Sequence, residues 1–114
     1  MVTVELLCTV GRMPAPVVSA VVTATQAAVA NAVRHAGVDL VCVMGRLDPR
    51  GDLVVVVRDE GVGFDPSSRS GFGLVGALDR PVTDIGGVTS IRSGEGFGTL
   101  VRIQFPAEIL QLLA

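Results

Sequence analysis

A polar group stands at the end of a long apolar stretch of this sequence, with a spacing suited to chemistry. Asn31, Arg34 and His35 are three and four residues apart, which places them on one face of a helix. Such a face could hold a charged ligand. The alternative is a solvent-facing stripe with His35 placed for the helix dipole.

A second group follows the most apolar run of the chain, residues 53–57. Asp59 comes directly after that run and is followed by Gly61 and Gly63. An acid directly after a strand has a defined position in the fold, and the glycines that follow it let a ligand approach the backbone closely. The alternative is an ordinary hairpin turn.

Two further groups are rich in glycine. Gly71, Gly73 and Gly76 run into a predicted helix whose free N–H groups could hold phosphate, and residues 96–99 open the last strand. The first of these also matches the G-x-G-x-x-G pattern of dinucleotide-binding units. That interpretation fits poorly, because the pattern belongs at the very end of a strand, whereas residues 61–70 intervene here.

Composition excludes several classes of function. The chain has 114 residues, 49% hydrophobic and 18% charged, so we expect one globular domain over residues 1–114. All nine basic residues are Arg, which excludes chemistry that needs a Lys amine, such as a P-loop or a Schiff base. A net charge of −2 argues against nucleic acid as a partner. Cys8, Cys42 and His35 are too few for a zinc site, and we expect reduced thiols.

The hydrophobic periodicity predicts an α/β two-layer sandwich. Helices would cover one face of a mixed, mostly antiparallel sheet. The predicted elements are strands over residues 2–10, 39–47, 53–58, 88–92 and 99–105, a long helix over 17–36 that Gly37 ends, and a short helix over 74–78 that Pro81 kinks or ends. Residues 107–114 fit a short helix or a frayed tail equally well.

The stretch over residues 13–33 is uncharged and long enough to suggest a membrane span. Pro14, Pro16, Gln26 and Asn31 interrupt it, so a buried amphipathic helix explains it better. The first ten residues lack the basic region of a signal peptide. We therefore expect a cytoplasmic domain without membrane contact.

Taken together and in order, the four groups resemble the ATP-binding catalytic domain of sensor histidine kinases. This domain lies in the superfamily that also holds DNA gyrase, MutL-type proteins and anti-sigma-factor kinases. Residues 31–36 resemble its N box, residues 59–63 its G1 box, and residues 71–76 with 96–99 its G2 region. The short loop before Gly71, Arg80 and the pair Gly86 and Gly87 most resemble the nitrate-sensor type.

The resemblance implies a Bergerat-type fold, ATP and Mg²⁺ as cofactors, and a protein-histidine kinase activity. Asp59 would accept a hydrogen bond from the adenine amino group, Asn31 would coordinate Mg²⁺, and Arg34 would lie near the phosphates. His35 would be structural. The nucleotide-binding residues implied are Asn31, Arg34, Asp59, Gly61, Gly63, Gly71, Gly73, Leu74 and Thr99.

Two departures from the family pattern matter. Ala27 stands where the family usually has an acid or amide, four residues before Asn31, so ATP hydrolysis by this chain is in doubt. Pro81 falls where the family continues a helix. The resemblance implies partners as well: the histidine-bearing dimerisation helices of the same sensor kinase, and a response regulator.

Two alternatives stay open from the sequence. One is a non-catalytic nucleotide-sensing or interaction module, and the other is a Ser/Thr kinase of the anti-sigma-factor type. The phosphoaccepting histidine is not in this chain. We therefore expect the chain to be either a fragment of a larger kinase or a stand-alone or degenerate relative.

Overall fold

A computed structural model describes residues 3–8, 10–62, 69–94 and 98–114. In chain order the elements are β1 (Thr3–Cys8), α1 (Ala15–Asn31) with a π-helical turn (Ala32–Ala36), β2 (Leu40–Leu47), β3 (Leu53–Asp59), α2 (Arg69–Thr83), β4 (Val88–Gly94), β5 (Gly98–Phe105) and α3 (Ala107–Leu113).

The five strands form one sheet in the order β1-β2-β3-β5-β4. The β1–β2 pair is parallel and the other three pairs are antiparallel. The first helix makes the crossover that a parallel pair requires. The predicted mixed, mostly antiparallel sheet is confirmed, with β3 at its centre.

The hydrophobic core lies between one face of this sheet and the helices. Val17, Ala20, Ala24 and Ala28 of α1 are buried there, and the strands and α2 add the remaining large buried side chains: Val41, Leu78, Val82, Val101, Ile103 and Phe105. Although the stretch 15–34 is long and apolar enough to cross a membrane, its small residues pack against the sheet in this fold.

Both ends of the first helix follow from local chemistry. The N–H groups of Val17 and Val18 donate to the Pro14 carbonyl oxygen at 3.0 and 3.1 Å, and Pro16 is in the first turn, where a missing N–H costs nothing. Gly37 ends the helix with φ of 65°, as predicted. The last turn, however, is π-helical.

The second helix differs most from its prediction. It spans Arg69–Thr83 rather than residues 74–78, and it passes through Pro81. The expectation that Pro81 ends it is therefore wrong. Pro81 is close to the C-terminus, so only one internal hydrogen bond is lost, and Thr83 Oγ1 donates to the Asp79 carbonyl oxygen at 2.9 Å.

The strand predictions hold within two residues at each described end. Residues 2 and 9 lie outside the described residues. Thr3–Cys8 form the first predicted strand, whereas Val10, which the prediction included, lies outside it. Residues 107–114, which the sequence left undecided, form α3. Asp52 stabilises the start of this helix by accepting from the Ala107 N–H at 2.9 Å and from Gln104 Nε2 at 3.0 Å.

Candidate functional site

The single acid at the end of the central strand is buried. Asp59 is the last residue of β3 and is only 6% exposed. Its Oδ1 accepts a hydrogen bond from the Gly61 N–H at 2.9 Å, the local turn that Asp side chains favour. No described residue donates to Oδ2. One carboxylate oxygen is thus engaged by the backbone, and the other is available to a ligand.

A threonine lies directly across the sheet from this acid. Thr99 of β5 pairs with Asp59 in the strand register and is also 6% exposed. Its Oγ1 is 2.8 Å from Ser93 Oγ, and Ser93 Oγ donates to the Gly98 carbonyl oxygen at 3.1 Å. Either hydroxyl can be the donor in the bond between Ser93 and Thr99, and in both cases it holds the Thr99 hydroxyl beside Ser93. Ser93 therefore orients the Thr99 hydroxyl.

Gly98 sets how closely the two strands approach at this point. It has φ of 81°. An added Cβ would collide with the Asp59 carbonyl oxygen and lie 2.9 Å from Glu60 Cα. Only glycine fits here, so Gly98 belongs to the support of the site. Sequence reasoning missed this role and that of Ser93, because both depend on strand register.

The helical part of the candidate site begins at the last α-helical residue. Asn31 is half-buried and its side-chain amide makes no hydrogen bond to a described residue. Ala27 is half-buried against the core, one α-helical turn earlier, so the two share a face. The predicted four-residue offset therefore holds. Where the family usually has an acid or amide, Ala27 therefore places an apolar methyl group beside the free amide of Asn31.

The π-helical turn changes the spacing after Asn31. Its hydrogen bonds run from i to i+5, so the α-helical argument that put Arg34 and His35 on the same face stops at Asn31. Arg34 is exposed. π-helical turns inside α-helices are frequent at functional sites, and here the turn lies between the free amide and Gly37.

The glycine-rich segment is only partly described. Gly63 lies outside the described residues. Gly71, Gly73 and Leu74 lie within α2, which begins at Arg69. The four free N–H groups of a helix belong to its first four residues, here residues 69–72. Gly71 is one of these four residues, whereas Gly73 and Leu74 are inside the hydrogen-bonded part of α2, contrary to the predicted helix start.

Open cavities flank Asp59 on both sides. One of about 390 Å³ lies towards the start of β2, and another of about 330 Å³ lies towards Thr99 and Leu100. The described residues contain no group of three or more His, Cys, Asp and Glu side chains that could hold a metal ion by themselves. Any metal in the described part would need ligands such as amides or phosphate oxygens.

The comparison with protein families settles the class. Residues 17–109 match the family described as histidine kinase-, DNA gyrase B-, and HSP90-like ATPase. The chain belongs to this ATPase family. It is also 34% identical over 104 residues to an uncharacterized sensor-like histidine kinase from Chloroflexus aurantiacus, a match that covers 85% of this chain and 17% of that protein.

Solved structures confirm that the ATPase family fold is present. The chain superposes on the histidine kinase domain of a blue-light activated histidine kinase from Erythrobacter litoralis EL346 with a TM-score of 0.78 and 21% identity, over 98% of this chain and 54% of that one. It superposes on the histidine kinase AdeS from Acinetobacter baumannii with a TM-score of 0.71 and 15% identity, over 93% of this chain and 54% of that one. A third match, ShkA in complex with AMPPNP, has a TM-score of 0.65 and 20% identity, over 90% of this chain and 25% of that one. The chain thus spans about half or less of these relatives.

Proposed function

We propose that this chain is the ATP-binding catalytic domain of a sensor histidine kinase. It binds Mg-ATP and presents the γ-phosphoryl group to a histidine on a helical partner domain. Family membership supports the nucleotide. The observation that carries the proposal is Asp59, a carboxylate that is almost fully buried while one of its oxygens has no described donor.

The buried carboxylate matches the chemistry of adenine. Burying a charged group is costly unless hydrogen bonds compensate it, and Gly61 supplies one of them. The exocyclic amino group of adenine is a donor that Oδ2 could accept. Guanine has a carbonyl oxygen at the corresponding position and would repel the carboxylate. Thr99, across the strand pair, would contact the base directly or through water.

Mg²⁺ fits the free amide of Asn31. This cation prefers oxygen ligands and commonly combines one or two protein ligands with substrate phosphates and water. Asn31 provides the amide oxygen, and the triphosphate of ATP would provide the rest. Arg34 and the free N–H groups of residues 69–72 would bind the phosphates. Mg²⁺ and Arg34 together would offset the negative charge that develops on the phosphoryl oxygens during transfer.

We extend the proposal to the context of the domain. The acceptor histidine lies on dimerisation helices of the same sensor kinase, and a response regulator receives the phosphoryl group. The location is cytoplasmic. The nitrate-sensor subtype rests on Arg80, Gly86 and Gly87. However, a Cβ on Gly87 would be 2.7 Å from Phe105 Cε1, so packing also explains this glycine.

Nucleotide binding is tested by thermal melting with Mg-ADP and by calorimetry. Saturation at about a hundred times the dissociation constant should add about 2.7 kcal/mol to the free energy of unfolding. Asp59→Asn should weaken ADP about 10- to 100-fold, the equivalent of one charged hydrogen bond, and GTP should bind the parent poorly. Asp84→Asn, at an exposed position, is the matched control. Equal ADP affinity in the parent and Asp59→Asn would remove Asp59 from the site.

Ala27 favours a second candidate, a module that binds nucleotide without transferring phosphate. Incubation with γ-labelled ATP and histidine-bearing dimerisation helices separates the candidates. Acid-labile label on the helices supports the kinase. Nucleotide binding with no label on any partner supports the module, and acid-stable label on a protein partner would support a Ser/Thr kinase.

A further inference from the structure

The face of the sheet that points away from the helices is rich in arginine, although Val54 on this face is only 3% exposed. Four arginines on this face are exposed: Arg46, Arg58, Arg92 and Arg102. This basic face belongs to a chain whose net charge is −2.

Three of these arginines surround one leucine. Leu100 of β5 pairs with Arg58 of β3 on one side and with Arg92 of β4 on the other, and Arg102 is two residues further along β5. Neighbouring strands are about 4.8 Å apart, and each residue advances a strand by about 3.3 Å. The Cα atoms of Arg58 and Arg92 are therefore about 10 Å apart, and the Cα atom of Arg102 is about 8 Å from each of them. We call Arg58, Arg92 and Arg102 the arginine cluster.

The cluster borders a concave site. The open cavity of about 330 Å³ is lined by Arg58, Arg92 and Leu100 together with Asp59 and Thr99. A carboxylate could enter it between two guanidinium groups while an apolar side chain rests on Leu100. Paired hydrogen bonds between guanidinium and carboxylate are among the strongest in proteins.

The charges within the cluster are only partly balanced. Arg58 Nη2 is 3.3 Å from Glu60 Oε1, but this pair is largely exposed, so it contributes little. Arg102 Nη2 donates to Gln104 Oε1 at 3.4 Å, a neutral partner. Arg92 and Arg102 form no ion pair with any described residue. Three like charges within about one Debye length of each other repel, and an anionic partner would relieve that repulsion.

The character of this face favours protein over nucleic acid or membrane. Single-stranded nucleic acids are bound with aromatic side chains that stack on bases, and the described part of this face has none. Anionic membranes attract clusters of four to eight basic residues, whereas only three of the four arginines on this face have Cα atoms within about 10 Å of one another. Arginine beside exposed apolar residues such as Val88 is typical of protein interfaces.

We propose that the arginine cluster is a docking site for an acidic segment of a partner protein. One carboxylate lies between Arg58 and Arg92 above Leu100, and a second contacts Arg102. Asp59 and Thr99 also line the cavity beside the cluster, but the charge argument for the cluster does not use the proposed nucleotide contacts.

The test measures binding of a fluorescein-labelled octapeptide of alternating Glu and Leu to the full chain by fluorescence anisotropy. Arg92→Ala/Arg102→Ala removes two charges from the cluster, and Arg12→Ala/Arg50→Ala removes two exposed charges elsewhere. The cluster variant should weaken binding about tenfold, as expected for two ion pairs, and the control less than twofold. Raising the salt to about 1 M should abolish binding. Both variants should keep the parent's far-ultraviolet circular dichroism and its response to Mg-ADP.

Four results would overturn the proposal. The first is that the acidic peptide fails to bind the parent at low salt. The second is that the two double variants lose the same amount of peptide affinity, which would make net charge alone responsible. The third is that a peptide of alternating Gln and Leu binds as tightly as the acidic one. The fourth is that phosphatidylserine vesicles or a single-stranded oligonucleotide bind the parent through the cluster more tightly than the peptide does. That result would assign the surface to a different partner. Loss of the Mg-ADP response in the parent would affect only the proposed function.

Discussion

Gly98 is the residue whose replacement most directly tests the geometry of the site. It combines two constraints, a positive φ and a backbone neighbour that leaves no room for a side chain. Two other glycines separate these constraints. Gly37 has φ of 65° but nothing within 4 Å of an added Cβ, and Gly45 has only ordinary contacts, the nearest being Cys8 Sγ at 3.5 Å.

The three alanine substitutions should therefore differ in a definite order. Gly45→Ala should be neutral or stabilising by about 0.5 kcal/mol, since glycine weakens a strand interior. Gly37→Ala should lower the free energy of unfolding by about 1 kcal/mol through backbone strain alone. Gly98→Ala adds a collision with the backbone of β3, and strain plus overpacking should cost about 3 kcal/mol in total.

Urea unfolding followed by circular dichroism measures these values, because the chain has no Trp or Tyr for intrinsic fluorescence. At about 4 °C for each kcal/mol, the melting temperature should fall by about 12 °C in Gly98→Ala and about 4 °C in Gly37→Ala. Gly98→Ala should also weaken ADP, because the collision displaces Asp59. Equal stability of Gly98→Ala and Gly37→Ala would show that β3 and β5 are not in the described register.

Three further predictions concern other positions. Ala27→Glu should raise the rate of ATP hydrolysis about 10²- to 10⁴-fold, as a general base does. The measurement is phosphate release under saturating Mg-ATP. A parent that already hydrolyses ATP as fast as the variant would mean that Ala27 is not a lost catalytic position. Thr25→Val should raise the free energy of unfolding by about 1 kcal/mol in urea titrations, because Thr25 Oγ1 is buried without a hydrogen-bond partner; destabilisation would show that the hydroxyl has a partner. Hydrogen bonds from Ala107 and Gln104 hold the pKa of Asp52 below its ordinary value, so its contribution to stability is present above about pH 4 and is lost as the pH falls through the folded pKa. Asp52→Asn should therefore lower the melting temperature more at pH 7 than at pH 3, and an equal loss at both pH values would contradict this cause.

Much of the fold could be predicted because each strand and the first helix have a clear hydrophobic period. The Asp48-Pro49-Arg50-Gly51 turn indicated the β2–β3 hairpin, and the structure confirms it: the Gly51 N–H donates to the Asp48 carbonyl oxygen at 2.9 Å. The start of α2 could not be predicted, because its first residues include Ser70, Gly71 and Gly73, which are poor helix formers. Packing of Leu78 and Val82 in the core stabilises this helix instead.

The site was predictable as a set of residue types but not as an arrangement. The position of Asp59 at the end of a strand could be predicted from the sequence, and the burial of its side chain agrees with that prediction. The pairing of Asp59 with Thr99 depends on two strands 40 residues apart along the chain, and no local signal encodes that register. The π-helical turn after Asn31 was equally hidden, because hydrophobic spacing does not distinguish a π turn from one more α turn over five residues.

The first strand has an unusual position with a consequence for how the molecule opens. β1 is at the edge of the sheet, pairs only with β2, and all six of its residues are exposed. Its parallel partner is joined to it through the whole of α1, whereas β2–β3 and β4–β5 are hairpins that can form by local loop closure. We therefore expect Thr3–Cys8 to separate from the sheet at a lower free energy than the other strands and to join it last during folding. Amide hydrogens of β1 should then exchange with solvent while the sheet formed by the other four strands, which includes Asp59, stays closed.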